Sequence, residues 1–377
     1  MLLDIKSKVV FKQILSFVEK NKYLKLIKSN KKAQQKLNIS LDSYMQYYKQ
    51  IEIEIIPKQS DDLKDTIFIN TSNFNDNIIY FNSDSERISR NKFQEYDDIS
   101  KIRVLIDIKN GNSLKALFAT CSKIQEIKFI HCALNILTDI SYLFMGCKSL
   151  VNVDLSRLKL DNIEDTSYMF VNCISLKTIK FPKSTINIFT NMEYMFYGCS
   201  SLENIDISNF KTDQVQNMHG LFSGCKLLKE LKLSNLKTES VVNMEFMFHR
   251  CELLNKLDLS NFNTKNVTNM YGMFKDCASL VKLNLTYFNT KNVVNMGNMF
   301  SGCTSLVELN ISNWDTHNLT NMEKMFYRDT SLINLDLSNL NLNNVNNMVG
   351  AFKFCSDELK NKVKSQNIKL KYKDDCF

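Results

Sequence analysis

The sequence is poor in the residues that usually mark linkers and sharp turns. Only nine glycines and two prolines occur in 377 residues, which leaves few places for flexible joints between domains. An apolar fraction of 44% is normal for a folded chain, so global disorder is not expected. The length allows several domains or one extended array.

Long apolar runs are also missing. The first residues, MLLDIKSKVVFKQ, carry charges at Asp4, Lys6 and Lys8, which does not fit the apolar core of a secretory signal peptide. No stretch reaches the roughly eighteen apolar residues of a membrane-spanning helix. We therefore expect a cytoplasmic protein whose eleven cysteines stay reduced.

Sequence signals for an enzyme are missing as well. We find no phosphate-binding loop, no closely spaced pair of metal ligands and no nucleophile motif. No clustered set of side chains offers an acid, a base and a nucleophile together. We predict no catalytic residue, no cofactor and no metal site, and hence no enzyme.

What the chain has instead is a repeat of 26 residues. Phenylalanine returns at this interval in ten consecutive slots, from Phe118 to Phe352. Cysteine follows the same interval, with Asp329 in one slot. The cysteine column consists of Cys121, Cys147, Cys173, Cys199, Cys225, Cys251, Cys277, Cys303 and Cys355. Such regularity predicts a solenoid of stacked units that share one core.

One unit illustrates the local structure that the pattern predicts. Met218, Leu221, Phe222 and Cys225 are spaced like the apolar side of a short amphipathic helix. Asn217 precedes them as a predicted N-cap. The Leu-x-Leu pair that follows alternates like a short strand. We therefore predict α/β rungs, each made of one short strand and one short helix.

These units resemble the BspA-like leucine-rich repeats, as the run LDLSNFNTKNVTNMYGMFKDC at residues 257–277 illustrates. The resemblance covers about residues 113–355. It implies a right-handed α/β leucine-rich-repeat solenoid of about ten rungs, with its parallel strands on the concave side. The sequence departs from the usual leucine-rich-repeat pattern at Phe262 and Trp314, where most such repeats have Asn or Cys. It also lacks the export signal of the secreted members.

The repeated cysteines are interpreted as buried packing residues. The predicted helices would separate neighbouring Cys Cα atoms by about 8 to 10 Å, beyond the reach of a disulfide. A spacing of 26 does not suit zinc, which is held by closely spaced thiolates. The four histidines occupy four different slots of the repeat, so no base accompanies the column. The methionines are likewise assigned to the core, and Cys376 is expected to be the one exposed thiol.

Function in a solenoid is expected on outward positions that differ between rungs. One strand column alternates in charge and is predicted to be a structural charge ladder. It consists of Lys128, Asp154, Lys180, Asp206, Lys232 and Asp258. Beyond it the alternation stops, and the polar groups are expected to be unpaired. There we predict a partner-binding surface formed by Lys256, Lys282, Asn284, Glu308, Asn310, Asn334 and Asp336.

The two ends are predicted to differ from the array. Residues 1–50 are assigned to a helical N-terminal segment, either a cap or a degenerate F-box. Residues 51–112 are assigned to a β-containing extension and N-terminal cap, residues 113–355 to the solenoid, and residues 356–377 to a C-terminal cap. Within these regions, residues 101–108 are predicted to be the strand that opens the array, and residues 368–373 to be a closing edge strand.

The first 50 residues hold eleven lysines against three acids, a net charge of +8. We interpret this as a solvated helix face rather than as a nucleic-acid or membrane contact. Residues 14–37 resemble an F-box, and this resemblance implies docking of a ubiquitin-ligase adaptor.

Together these observations predict a non-enzymatic protein–protein interaction scaffold that binds its partner on the concave strand face. Two alternatives stay open. One is an F-box-type substrate receptor of a ubiquitin ligase. The other is a surface adhesin of the BspA-like type, which would require export.

Overall fold

A computed structural model describes residues 50–59, 63–70, 78–82, 84, 86–94, 97–107, 112–132, 137–187, 190–371 and 373–377. The predicted helical or F-box-like segment lies outside the described residues, apart from Gln50. Within the described residues, no helix is both long and apolar enough to cross a membrane.

Among the described residues before the repeat region, three strands pair antiparallel: β1 (Gln50–Pro57), β2 (Ile78–Phe81) and β3 (Ile102–Asp107). They belong to a six-stranded sheet of order β2-β3-β1-β4-β5-β6, in which β4 (Ile124–Cys132) is the first strand of the array. The strand that pairs with β4 is β1, and β3 pairs with the opposite edge of β1. The prediction that residues 101–108 open the array is therefore wrong. β1 alternates and β2 is apolar throughout, and no local pattern encodes the order of the strands.

The repeat region is a solenoid, which confirms the prediction of stacked units. Parallel backbone bridges join one slot through ten successive turns, from Ser113 to Asn347. A second set of contacts is made by short parallel strands. These are β5 (Asn152–Asp154), β6 (Thr178–Lys180), β9 (Glu230–Leu231), β10 (Lys256–Leu257), β11 (Lys282–Leu283), β12 (Glu308–Leu309) and β13 (Asn334–Leu335), with β7 (Ile186–Asn187) and β8 (Phe210–Lys211) as a separate pair.

The predicted helix in each rung is wrong. The stretch from Met218 to Cys225 is a series of turns in which every second backbone N–H, including that of Phe222, donates to a carbonyl of the next turn of the solenoid. The N–H groups of Leu221, Ser223 and Cys225 donate to the carbonyl three residues earlier, and that of His219 donates to the side-chain oxygen of Asn217. An α-helix needs bonds to the fourth residue back, so it cannot form here. Positive φ angles at Gly220 (60°) and Gly224 (77°) also interrupt any right-handed helix. The rungs are thus strand and turn, not α/β.

The core is built from columns of identical side chains. The ten phenylalanines from Phe118 to Phe352 are fully buried, and their rings stack at centroid distances of 5.2 to 5.9 Å. Each ring therefore buries apolar area against both neighbouring turns. Because this column is continuous, removing one ring affects three turns at once.

The C-terminus closes the array with helices. They are α1 (Asp357–Gln366), α2 (Ile368–Lys371) and a 3-10 turn (Asp374–Cys376). The predicted closing edge strand at residues 368–373 is therefore wrong. The ammonium group of Lys369 donates to the carbonyl oxygens of Leu342, Asn343 and Val345, which a following turn would otherwise cover. A six-residue alternation of apolar residues and lysine suits this capping helix as well as an edge strand.

The last residues imitate a further turn of the solenoid. The carbonyl oxygens of Asp375 and Cys376 accept the N–H groups of Gly350 and Phe352. The ring of Phe377 lies 5.5 Å from that of Phe352 and extends the phenylalanine column. Cys376 is consequently buried, so the prediction of an exposed thiol there is wrong.

Candidate partner-binding surface

The predicted partner-binding residues are all exposed, and the structure brings six of the seven together. Strands β11, β12 and β13 pair in register, so Lys282, Glu308 and Asn334 lie side by side. Asn284, Asn310 and Asp336 directly follow the ends of these strands. Lys256 belongs to β10, which pairs with β9 and not with β11.

Most of these polar groups already have partners within the chain, so the expectation of unpaired groups is wrong. Lys282 forms an ion pair with Glu308, with 2.8 Å between Nζ and Oε1. The side-chain oxygen of Asn284 accepts hydrogen bonds from the backbone N–H and the hydroxyl of Thr286. Solvent screens exposed pairs of this kind, so they contribute little and a partner can replace them.

The charge-ladder residues occupy one register position in successive turns at the start of the array. Lys128, Asp154 and Lys180 face one another across β4, β5 and β6. Partial burial acts to raise the pKa of Asp154, but hydrogen bonds from Ser156 and the nearby lysine charges outweigh it and lower the pKa. At Asp258 the pKa is lowered by hydrogen bonds from Ser260, with no lysine contribution. The electrostatic coupling along the column therefore weakens toward its far end.

The acids and amides of this column have a second role that the sequence interpretation missed. Each accepts a hydrogen bond from the backbone N–H two residues later and so closes the turn after the strand. The bonds run from Ser156, Ser208, Ser260, Thr286, Ser312 and Ser338. The signal was visible as Asp or Asn followed two residues later by Ser or Thr.

An apolar row lies beside the predicted polar residues. Val281, Val307 and Ile333 occupy one slot in successive turns, and their backbones are hydrogen-bonded to one another. The side chains of Val281 and Ile333 are 46% and 39% exposed. Leu227 and Leu253 extend the row into the two preceding turns. Each lies two residues before the slot of Val281 in its own turn, and each is 39% exposed. These five residues are called the apolar row below. Sequence reasoning missed it because it followed only polar columns.

The cysteine column is fully or nearly fully buried. Its thiols, from Cys147 onward, donate to the carbonyl oxygen of the phenylalanine 29 residues earlier, as Cys225 does to Phe196 at 3.2 Å. Burial raises the pKa of Cys225 to about 12, so its thiol stays protonated at neutral pH. A buried, protonated thiol is a poor nucleophile and a poor metal ligand. All eleven cysteines are free of disulfides.

A surface row of aromatic rings on the turn side is explained by packing. The rings are those of Tyr142, Tyr168, Tyr194, His219, Phe246 and Tyr271. The faces of Tyr142 and Tyr168 lie against each other at 4.7 Å and are not open to a ligand. Burial and the Glu193 carboxylate raise the pKa of Tyr168 to about 12. In the part of the chain that the structure describes, no group of three or more His, Cys, Asp or Glu could hold a metal ion.

Comparison with known proteins gives one family match. A family model described as "Mycoplasma protein of unknown function, DUF285" matches residues 112–204, 190–284 and 257–367. These three overlapping segments cover the repeat region and the start of the C-terminal cap. No curated protein matches the chain.

Proposed function

The chain belongs to the DUF285 family, and we propose that it is a non-enzymatic scaffold that binds a protein partner on the strand face of its C-terminal half. The constant slots of each turn are taken up by packing, so the outward strand positions are the ones free to vary. The sequence resemblance to BspA-like repeats supports an interaction role of this kind.

The apolar row is the observation that carries the proposal. Four of its five side chains are 39% to 46% exposed and Val307 is half-buried, and a contiguous exposed apolar patch is typical of a protein interaction site. Beside it run the predicted polar residues on β11, β12 and β13, including the ion pair between Lys282 and Glu308. An apolar centre with a polar rim is the usual composition of a protein–protein interface.

The proposal is tested by capturing partners from a cell extract with the full-length chain and two variants. Val281→Glu places a charge in the centre of the apolar row. Val294→Glu is the matched control, because Val294 is also exposed (42%) but lies outside the row. We expect a partner that is retained by the wild type and by Val294→Glu and lost with Val281→Glu. Identical partner sets for both variants would remove the proposal.

The same capture experiment addresses the F-box-type receptor. Its docking segment, residues 1–50, lies almost entirely outside the described residues. Recovery of a ubiquitin-ligase adaptor by the full chain, and not by a chain lacking residues 1–50, would favour the receptor. Partners common to both samples favour the plain scaffold.

A further inference from the structure

Strand pairing is interrupted between β6 and β9 and again between β10 and β11, and the first interruption leaves a whole strand slot unpaired. Residues 204–206 occupy the strand slot between β6 and β9 but pair with neither. Across the described residues of these turns, no backbone hydrogen bond joins 204–206 to Thr178–Lys180 or to Glu230–Leu231. In complete turns the equivalent residues pair, as Glu308–Leu309 does with Asn334–Leu335. The segment therefore presents free N–H and C=O groups, as an edge strand does.

A groove of about 660 Å³ opens at this interruption. Ile179 and Ile205 line it and are only partly buried, whereas Val153 and Leu309 in the same slot of other turns are 2% and 3% exposed. The groove thus exposes side chains whose slot is buried in most other turns, although Leu257 in the same slot is also only partly buried. Its volume lies within the range of pockets that enclose ligands.

The rim of the groove carries both signs of charge. Lys177 and Lys232 supply positive charge, and Asp206 and Glu230 supply negative charge. Hydrogen bonds from Ser208 lower the pKa of Asp206, and the Lys232 charge adds to this effect, so Asp206 is ionised at neutral pH. A ligand that fits this rim carries both positively and negatively charged groups along its length.

An irregular turn precedes the interruption. Pro182 stands where the next turns have Ser208 and Ser234, and Phe181 packs edge-on against Phe210, with the ring centroids 4.9 Å apart. Strands β7 and β8 pair Ile186 with Phe210, an offset of 24 residues instead of 26. The groove therefore lies beside a turn whose sequence departs from the repeat.

We propose that this groove binds an extended peptide segment of another protein. The peptide pairs its backbone with residues 204–206 by strand addition and lays alternate apolar side chains on Ile179 and Ile205. Its intervening charged side chains meet Lys177, Asp206, Glu230 and Lys232. This site is separate from the apolar row and stands whether or not the row binds a partner.

The test uses a phage-displayed library of eight-residue peptides selected on the full-length protein. Selected peptides are synthesised, and their affinities are measured by fluorescence anisotropy for the wild type, Lys177→Trp and Lys229→Trp. Both lysines are exposed and occupy the same slot two turns apart, but only Lys177 lines the groove. We expect peptides with alternating apolar residues, and a loss of about tenfold or more with Lys177→Trp alone.

Thermal unfolding of both tryptophan variants verifies that they fold. Failure of the library to enrich any peptide over the bare support overturns the proposal. So does equal affinity of the enriched peptides for the two variants, because they would then bind elsewhere. The same peptides should bind Val281→Glu unchanged, which separates this groove from the apolar row.

Discussion

The turn side of the solenoid, exemplified by Asn217–Cys225, is continuous, whereas the strand side is not. On the turn side, bridges run from Ser113 to Asn347 without a gap. On the strand side, pairing stops between β6 and residues 204–206, again before β9, and once more between β10 and β11. The comparison indicates that the turn side sets the register of the stack. The strand side is left with exposed and unpaired groups that suit binding.

The difference has a physical cause. The turn side combines hydrogen bonds to the next turn with a stacked phenylalanine and, except in the turn of Asp329, a buried thiol. After β4, the strands contribute only two or three residues each, and isolated short pairs are marginal in water. Stability should therefore respond strongly to changes on the turn side and weakly to changes on the strand side.

The largest effect is expected for Phe222→Ala. Phe222 is fully buried and stacks on Phe196 and Phe248 at 5.6 and 5.9 Å. Truncation leaves a cavity and should lower the free energy of unfolding by about 3–5 kcal/mol. Urea unfolding measures this, with Tyr287→Ala as control because Tyr287 is 65% exposed. A similar, small loss for both variants would contradict the role of the column.

Asp329→Cys should stabilise the protein. Asp329 is fully buried in the cysteine slot; its Oδ1 accepts the Cys303 N–H at 2.9 Å, while Oδ2 has no partner. Replacing a buried carboxyl group by the thiol of the other turns should raise the free energy of unfolding by about 1–3 kcal/mol. Asp336→Asn, a change to an exposed acid, serves as control and should have little effect.

The gain from Asp329→Cys should depend on pH. Burial raises the pKa of Asp329 well above its ordinary value of about 3.9. Relative to the variant, the wild type is therefore most stable at pH values below the ordinary pKa of an aspartic acid. It loses stability as the pH rises from there toward the folded-state pKa. Urea unfolding between about pH 4 and pH 8 should show a gap that widens with pH. A gap that narrows would show that the carboxylate, not the neutral acid, is favoured.

Gly220→Ala should cost about 1–2 kcal/mol. Gly220 has φ 60°, and an added Cβ would lie 2.4 Å from the ring of Tyr194. Gly350→Ala is a matched control, since φ is 63° but the nearest atom lies at 3.5 Å. The difference in thermal midpoint between the two variants isolates the clash from the backbone strain. Equal midpoints would mean that the ring moves aside freely.

Lys180→Asp on the strand side should have the smallest effect. It would place three carboxylates in one column, from Asp154 to Asp206, and is expected to cost about 0.2–1 kcal/mol at low salt. The loss should shrink at high salt because the side chains are exposed. Unchanged thermal stability at low salt would rule out the charge ladder.

The repeat and its core could be predicted from the sequence because each buried slot of the repeat requires the same residue type, which therefore recurs at a fixed interval. Phe118 to Phe352 recur at one interval, and a fully buried ring tolerates little else. The same periodicity misled the assignment of helices. Met218, Leu221, Phe222 and Cys225 fit a helical stripe, but they also fit turns whose alternate N–H groups bond to the next rung. Bonds between residues 25 apart leave no local pattern.

Positive φ angles were equally hidden. Glycine would have signalled them, yet Phe246 and Arg250 adopt φ of 53° and 56° in the slots of Gly220 and Gly224. The free strand at residues 204–206 could not be predicted either, because Asn204-Ile-Asp206 reads like its neighbours. What sets it apart is the irregular turn before it, where Pro182 interrupts the repeat.

Hydrogen–deuterium exchange of the unliganded full-length protein tests the central claim most directly. The backbone N–H groups of Met218, Gly220 and Phe222 should exchange only on global unfolding, because each donates to the next turn. The N–H groups of residues 204–206 should exchange like those of an open loop. Protection at residues 204–206 equal to that at Phe222 would contradict the account, because the strand side would then be as continuous as the turn side.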